Sequence, residues 1–153
     1  MLASSIMGRH LYSLLLLLCA PFLIGHVVYK YCRENQDPMV ARRLGFYIPT
    51  RMAGCIWIHA CSLGESKVGV ELARALIRKN PSLRVLMTAT TPAGLHVLTQ
   101  SEFASHVFPW DFRWTWSRWL SKLRPKALII IETELWPNLL AACYGGGIPV
   151  ILA

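Results

Sequence analysis

Between Leu11 and Tyr29 the chain reads LYSLLLLLCAPFLIGHVVY, 19 residues without one charged side chain. Wound as an α-helix, such a run is about 28 Å long at 1.5 Å per residue, close to the hydrocarbon thickness of a bilayer. So large an apolar surface has to be covered by protein or by lipid, and that choice constrains everything else the chain can do. Arg9 precedes the run, whereas Lys30, Arg33, Arg42, Arg43 and Arg51 follow it. The bias of cations toward the C-terminal flank puts the remainder of the chain on the cytoplasmic side of a membrane. No small-x-small cleavage site follows, and Leu18 before Cys19 is bulky where a lipoprotein site needs a small residue, so the run reads as an uncleaved anchor. Pro21, Gly25 and His26 weaken its second half, which keeps a shallow interfacial helix open beside a spanning one.

In a chain of 153 residues the part beyond the anchor is too short for two ordinary domains. With 54% apolar and 16% charged residues it is not a disordered chain. The five cysteines are odd in number and widely spaced, with no C-x-x-C pair and no zinc-like spacing. This argues against a disulfide framework and a bound metal, and fits a reducing compartment. The formal charge of +8 is divided evenly before and after residue 52, with no dense Lys/Arg block, so nucleic acid is not an expected partner. Residues 34–53, with Asp37-Pro38 and Pro49, read as a polar neck in which Arg42 and Arg43 either meet lipid phosphates or simply set topology. The expected organisation is thus a membrane anchor helix over 1–33, a basic neck or linker over 34–53 and a globular domain over 54–153.

From Cys55 onward short β-rich runs alternate with helical stripes. Candidate strands are Cys55–Ala60, Arg84–Thr88, His106–Phe108, Ala127–Ile131 and Pro149–Leu152, the last of them expected to be buried. Lys67, Glu71, Arg74 and Arg78 recur at helical spacing through Lys67–Lys79 and leave the opposite face apolar. A second helix opens at Thr91-Pro92, with Thr91 as cap and proline in the first turn, and runs to about Gln100. A third, Arg113–Leu123, lines up Phe112, Trp116, Trp119, Leu120 and Leu123 as a core stripe and leaves Trp110 and Trp114 for a partner or lipid. A fourth begins near Pro137 and stops at Gly145-Gly146-Gly147. Strict alternation with near-continuous apolar strands implies an α/β fold, a Rossmann-like parallel sheet covered on both faces. No G-x-G-x-x-G or G-x-x-x-x-G-K-[ST] loop is present.

In such sheets chemistry collects beyond the C-terminal ends of the strands. The segments there are HACSLGE, TATTPAG, FPWD and ETELWPN. They bring Glu65, Asp111, Glu132 and Glu134, four of the six acids after residue 54, to one edge. Ser62, Gly64, Thr90, Thr91 and Gly94 share these loops as candidate substrate contacts. Each acid also has a purely structural reading. Ser62-x-x-Glu65 is a capping box, Glu132 and Glu134 suit the positive end of a helix dipole, Asp111 can cap the tryptophan-rich helix, and His59 reads as a satisfied core histidine.

Those four segments, in this order and at these intervals, together with RRLGFY at residues 42–47 beside an N-terminal anchor, resemble the N-terminal half of the 3-deoxy-D-manno-octulosonic acid (Kdo) transferases. The resemblance implies half of a GT-B-type glycosyltransferase on the cytoplasmic face of a bacterial inner membrane, moving Kdo from CMP-Kdo to the lipid A precursor, without metal or other cofactor. The family's general base matches Glu65, and its second acid, which supports the transition state, matches Glu132. Glu134, Trp136 and Pro137 then shape the same loop, while Arg42 and Arg43 face the anionic acceptor.

Members of that family carry a second Rossmann-like domain that holds most of the CMP-Kdo contacts, and none follows Ala153. The chain therefore reads as an N-terminal fragment, inactive without its donor-binding half. The competing reading is a non-catalytic, membrane-anchored module that binds a lipid A-like acceptor. Cys61 also stands where a small or branched apolar residue is expected.

Overall fold

A computed structural model describes residues 2–33, 39–132 and 134–153. The chain begins with helix α1 (Leu2–Arg33), which contains Pro21. Then come a single helical turn, α2 (Val40–Arg43), and a 3-10 turn at Thr50–Met52. The alternating domain comes next: β1 (Ile56–Ala60), α3 (Leu63–Lys79), β2 (Val85–Ala89), α4 (Pro92–Thr99), β3 (Ala104–Val107), α5 (Arg113–Leu123), β4 (Ala127–Ile130), α6 (Pro137–Gly145) and β5 (Val150–Leu152). Every expected element is present, with strand limits displaced by a residue or two, as hydrogen-bond assignment commonly does at strand ends.

All strand pairs are parallel, in the order β3-β2-β1-β4-β5. The chain winds outward from β1 to β3, then returns to place β4 on the other side of β1. Right-handed crossovers laid in opposite directions put their helices on opposite faces. Hence α3 and α4 cover a core of Ile58, Ala60, Val70, Ala73, Met87, Leu98 and Ile129, while α5 and α6 cover Trp57, Leu86, Phe108, Leu128, Ile130 and Leu139. The tryptophan stripe behaves as its spacing demands. Trp57, Trp116 and Trp119 are fully buried within 6.2 Å of one another, ring centre to ring centre. Each withdraws roughly 200 Å² from water, on the order of 5 kcal/mol of hydrophobic stabilisation.

Two expectations need correction. The polar neck is not a linker where it is described. Residues 34–38 lie outside the described part, but from Met39 the backbone packs on the domain. Trp110 N–H donates to the carbonyl of Arg43, Gly54 N–H donates to that of Leu123, and Ile48 and Met52 pack against the core. Gly45, at φ +76°, allows this approach, since a Cβ there would stand 2.6 Å from Thr115 Cγ2. Pro49, Gly54 and the arginines dominated the composition, while Ile48 and Met52 supply the packing. Second, β5 is an edge strand paired with β4 alone, and Ile151 and Leu152 are about half exposed where burial was expected.

Helix α1 is long and apolar enough over Gly8–Lys30 to cross a membrane, and none of that stretch is buried inside the protein. Its early turns nonetheless touch the domain: Ser13 Oγ donates to Asn138 Oδ1 at 3.0 Å, and His10 Nδ1 lies 3.4 Å from Arg113 Nη1.

Candidate active site

β1 and β4 are neighbours whose onward connections leave toward opposite faces, which defines the switch point where doubly wound sheets open a crevice. Flanking it are Cys61 and Ser62 before α3, and Glu132, Glu134, Leu135 and Trp136 before α6.

On the β1 side Ser62 caps α3. Its Oγ donates to Glu65 Oε1 at 2.6 Å and accepts from Glu65 N–H at 3.4 Å. Glu65 Oε2 in turn accepts from Cys61 N–H at 2.7 Å. The capping box read from Ser62-x-x-Glu65 therefore forms, with the glutamate reaching one amide further back than the usual partner. A carboxylate offers about four acceptor positions, so these two donors leave Glu65, which is half-buried, able to accept again from the solvent side. Gly64 beside it is exposed, with open space where a Cβ would stand.

On the β4 side Glu134 reaches back across the switch point. Its Oε2 accepts from His59 Nε2 at 3.1 Å and from Trp136 Nε1 at 3.2 Å. His59 is fully buried, stacked on Phe108 with ring centres 3.7 Å apart, and its Nδ1 lies 3.1 Å from both the carbonyl and the hydroxyl of Thr88. Thr88 Oγ1 already accepts from Trp57 Nε1 at 2.9 Å. The histidine hydrogen bond holds the Glu134 carboxyl below the usual range, outweighing its partial burial. Between the loops sits Cys61. Burial, then its hydrogen bond to Glu134, pushes the thiol up to about 12, and the charges of both Glu134 and Glu65 act in the same direction. The thiol stays protonated at neutral pH and is no nucleophile. Cys61 thus links the acids of the two loops, its N–H donating to Glu65 and its thiol hydrogen-bonded to Glu134.

Glu132 lies two residues beyond β4 on the same edge. Its side chain is exposed, without a hydrogen-bond or ion-pair partner among the described residues, while its N–H donates to the carbonyl of Ala153 at 2.9 Å. Its φ of +62° is left-handed, a conformation costing a non-glycine residue about 1–2 kcal/mol. Such strain collects where surrounding structure fixes a residue for a purpose.

The remaining candidates are engaged in building this edge. Thr91 Oγ1 donates to the carbonyl of Cys61 at 2.9 Å and accepts from Gly94 N–H at 3.1 Å, latching the start of α4 onto the β1–α3 turn. Gly94 permits the approach, because a Cβ would meet Ser66 Oγ at 2.9 Å and the carbonyls of Cys61 and Ser62 at 3.0 Å. Arg43, expected at the lipid surface, is only 6% exposed and donates from Nη2 to the carbonyl of Thr90 at 3.1 Å, whereas Arg42 is exposed. Asp111 caps α6 and not the tryptophan-rich helix that follows it. Its carboxylate accepts from the N–H groups of Asn138 and Leu139 at 3.0 and 2.9 Å and from Trp116 Nε1. Burial raises its pKa. With Tyr12 of α1 as a fourth hydrogen-bond donor and 2% exposure, it is closed to a ligand from solvent. Among the described residues no group of three or more His, Cys, Asp or Glu side chains is disposed to hold a metal ion.

The alternation of IWIHA placed His59 on the face of Trp57, but nothing in the sequence announced that it would meet an acid 75 residues away. The residue that crosses the switch point is Glu134, expected from the sequence as a substrate contact that also shapes its loop.

A doubly wound parallel α/β domain with carboxylates gathered at its switch point belongs to the architecture of nucleotide-sugar-dependent transferases and many other ligand-binding proteins, and comparison narrows it. Residues 39–153 match the family model described as 3-deoxy-D-manno-octulosonic-acid transferase (kdotransferase). The 3-deoxy-D-manno-octulosonic acid transferase of Haemophilus influenzae is 35% identical over 159 aligned residues, covering 96% of this chain and 36% of that protein. Its Bordetella pertussis counterpart is 32% identical over 160, covering 95% and 37%. A probable mitochondrial 3-deoxy-D-manno-octulosonic acid transferase of Arabidopsis thaliana is 38% identical over 98 residues, 62% of this chain and 22% of that protein. The chain belongs to the Kdo transferase family, and it spans little more than a third of the length of the bacterial relatives it matches.

Proposed function

We propose that this chain is the acceptor-side half of a glycosyltransferase that moves Kdo from CMP-Kdo to the lipid A precursor at the cytoplasmic face of the inner membrane, with α1 as the anchor. Glu65 is the general base. It takes the proton of the acceptor hydroxyl as that oxygen bonds to the anomeric carbon of Kdo. The bond from that carbon to the phosphate oxygen of the donor breaks, and CMP leaves with the electron pair. Glu132, exposed on the adjacent loop, supports the positive charge that develops on the sugar. The observation that carries this reading is the pairing of the two loops across the switch point, where Glu65 and Glu134 act on one thiol while Glu65 keeps acceptor capacity on its open side.

The two protein hydrogen bonds on Glu65 suit the rival reading, in which it only caps α3 in a non-catalytic acceptor-binding module. Glu65→Gln separates them, because glutamine keeps an acceptor for the cap and loses the base. In a full-length version supplied with labelled CMP-Kdo and lipid A precursor, or on co-expression of this chain with a donor-binding half, that variant should lose about 10²–10⁴-fold in transfer rate with its thermal midpoint nearly unchanged. Undiminished transfer removes Glu65 as base. Transfer by this chain alone would overturn its dependence on a second half.

A further inference from the structure

Two cavities open at the seam where the early turns of α1 meet the starts of α5 and α6. One, of about 300 Å³, is lined by Arg9, Arg113, Ser117, Asn138, Ala141 and Ala142. The other, of about 140 Å³, shares Arg113 and Asn138 but is otherwise walled by Leu16, Leu17, Phe112 and Trp114 together with Ser13. The first is cationic and the second apolar. No carboxylate lines either, and neither arginine has an ion pair among the described residues. Arg9 is half-buried, and its Nε is shielded from solvent without a hydrogen-bond partner among them, which leaves a donor for an acceptor from outside the chain. Asp111, the acid in the loop before α5, is engaged by Trp116, Asn138, Leu139 and Tyr12 of α1. His10 adds a third nitrogen side chain beside Arg113. At the rim of the apolar cavity Trp114 stays 41% exposed, stacked on Phe112 at 4.2 Å. The outer side of α1 next to it bears Leu11, Leu14, Leu15, Leu18 and Phe22, all exposed.

A cationic pocket continuous with an apolar one, opening beside an apolar helix surface, is complementary to a molecule with an anionic head and a hydrocarbon tail. We propose that this seam binds one anionic phospholipid of the bilayer, its phosphate between the guanidinium groups of Arg9 and Arg113 and one acyl chain against Leu16, Leu17, Phe112 and Trp114. Arginine suits the head because its planar fork takes phosphate oxygens in pairs. Trp114 suits the boundary between head and tail, where indole rings concentrate. The bound lipid would fix α1 against α5 and α6 and so set the height of the switch-point crevice above the headgroups. The proposal rests on the interfacial reading of α1, because a spanning helix would carry residues 9–17 to the far leaflet, away from α5 and α6; it involves none of the residues assigned to chemistry.

The test uses the chain as it stands, added to phosphatidylcholine vesicles doped with phosphatidylglycerol, or in parallel with phosphatidylcholine, brominated in the acyl chains. Flotation reports whether α1 holds the chain on the bilayer. Quenching of Trp114, taken as the difference from Trp114→Phe, reports occupancy of the seam. Brominated phosphatidylglycerol should half-quench at an about tenfold lower fraction than brominated phosphatidylcholine, a difference of about 1.4 kcal/mol, as charge-assisted hydrogen bonds to the phosphate would give. Arg9→Gln with Arg113→Gln should abolish that preference. Arg113→Lys, which preserves charge and keeps the fold even if the double variant does not, should retain only part of it. Equal quenching by both lipids with flotation intact overturns the proposal, as does a preference that survives the double variant. Loss of the preference in inorganic phosphate at matched concentration assigns the pocket to a soluble anion and equally overturns it. Failure to float at all removes the anchor reading itself, and this inference with it.

Discussion

The β3–α5 and β4–α6 turns bring acids to the same edge of the sheet and treat them in opposite ways. Asp111, beyond β3, is drawn into the interior by the unpaired amides at the start of α6, and its carboxylate is enclosed by donors. Glu132 and Glu134 lie beyond β4 beside the switch point, Glu132 exposed and Glu134 tied to a histidine from the neighbouring strand. The difference follows from winding. The switch point lies between β1 and β4, so the turns that leave it in opposite directions open a crevice, while a turn two strands away closes on itself. An acid's availability is thus set by its strand's place in the sheet order and not by its distance along the chain.

The largest effect should come from breaking the enclosed side. Asp111→Ala strands the Trp116 indole N–H and two helix amides in the interior, and should cost about 3 kcal/mol in thermal or denaturant unfolding of the chain in detergent. Its pH signature is distinctive. Burial raises the folded pKa above the ordinary 3.8, so the stabilisation linked to its protonation is complete below that value and fades as pH rises through the folded pKa. The parent's advantage over Asp111→Asn should shrink in that direction, and an advantage that instead grows with pH would show a carboxylate better satisfied than its burial allows.

Gly94→Ala tests whether the latch between the two halves of the edge is as tight as its distances. Because two of the three atoms a Cβ would meet are backbone carbonyls, α4 itself must shift, at about 2 kcal/mol. A variant as stable as the parent would mean that the α4 start moves freely, and that Thr91 alone secures the turn.

Glu134→Gln probes the open side and should cost about 1 kcal/mol, since a neutral amide still accepts from His59 and Trp136. Here the sign reverses. The histidine depresses the folded pKa below the ordinary 4.5, so the contribution is full above that value and is lost as pH falls through the folded pKa. Parent and Glu134→Gln should therefore converge under acid, and curves that stay parallel would deny the pairing with His59.

These contrasts mark how far a sequence can be read. The five strands, the amphipathic stripe of α3 and the core roles of Trp116 and Trp119 were legible because periodicity is a local property set by one element's exposure. So was the Ser62–Glu65 cap, which spans a single turn. The packing of residues 39–53 was not, because Arg43 reads as a surface cation until a carbonyl at the end of β2 is found for it. The service of Asp111 to α6 and the His59–Glu134 pair join residues 27 and 75 positions apart through the sheet order, which no local pattern encodes. The four turns were therefore legible as sharing one edge of the sheet, while the hydrogen-bond partners of their acids depended on the winding.

The smallest effect is also the sharpest for the site. Glu132 holds a left-handed backbone at an exposed position, so its side chain has little to lose in stability and its geometry has something to gain. Relief of that strain by glycine, about 1–2 kcal/mol, outweighs glycine's extra freedom in the unfolded chain, about 0.5–1 kcal/mol. Glu132→Gly should accordingly be more stable than the parent by about 0.5 kcal/mol. Glu132→Ala keeps the strain and should be the less stable of the two, the reverse of the order at a site with ordinary φ. An alanine variant that matches or exceeds the glycine variant would mean that the turn relaxes out of the left-handed region. In that event the backbone strain at the end of β4 would no longer be a reason to place Glu132 among the working acids of the crevice, and its exposure alone would have to support that role.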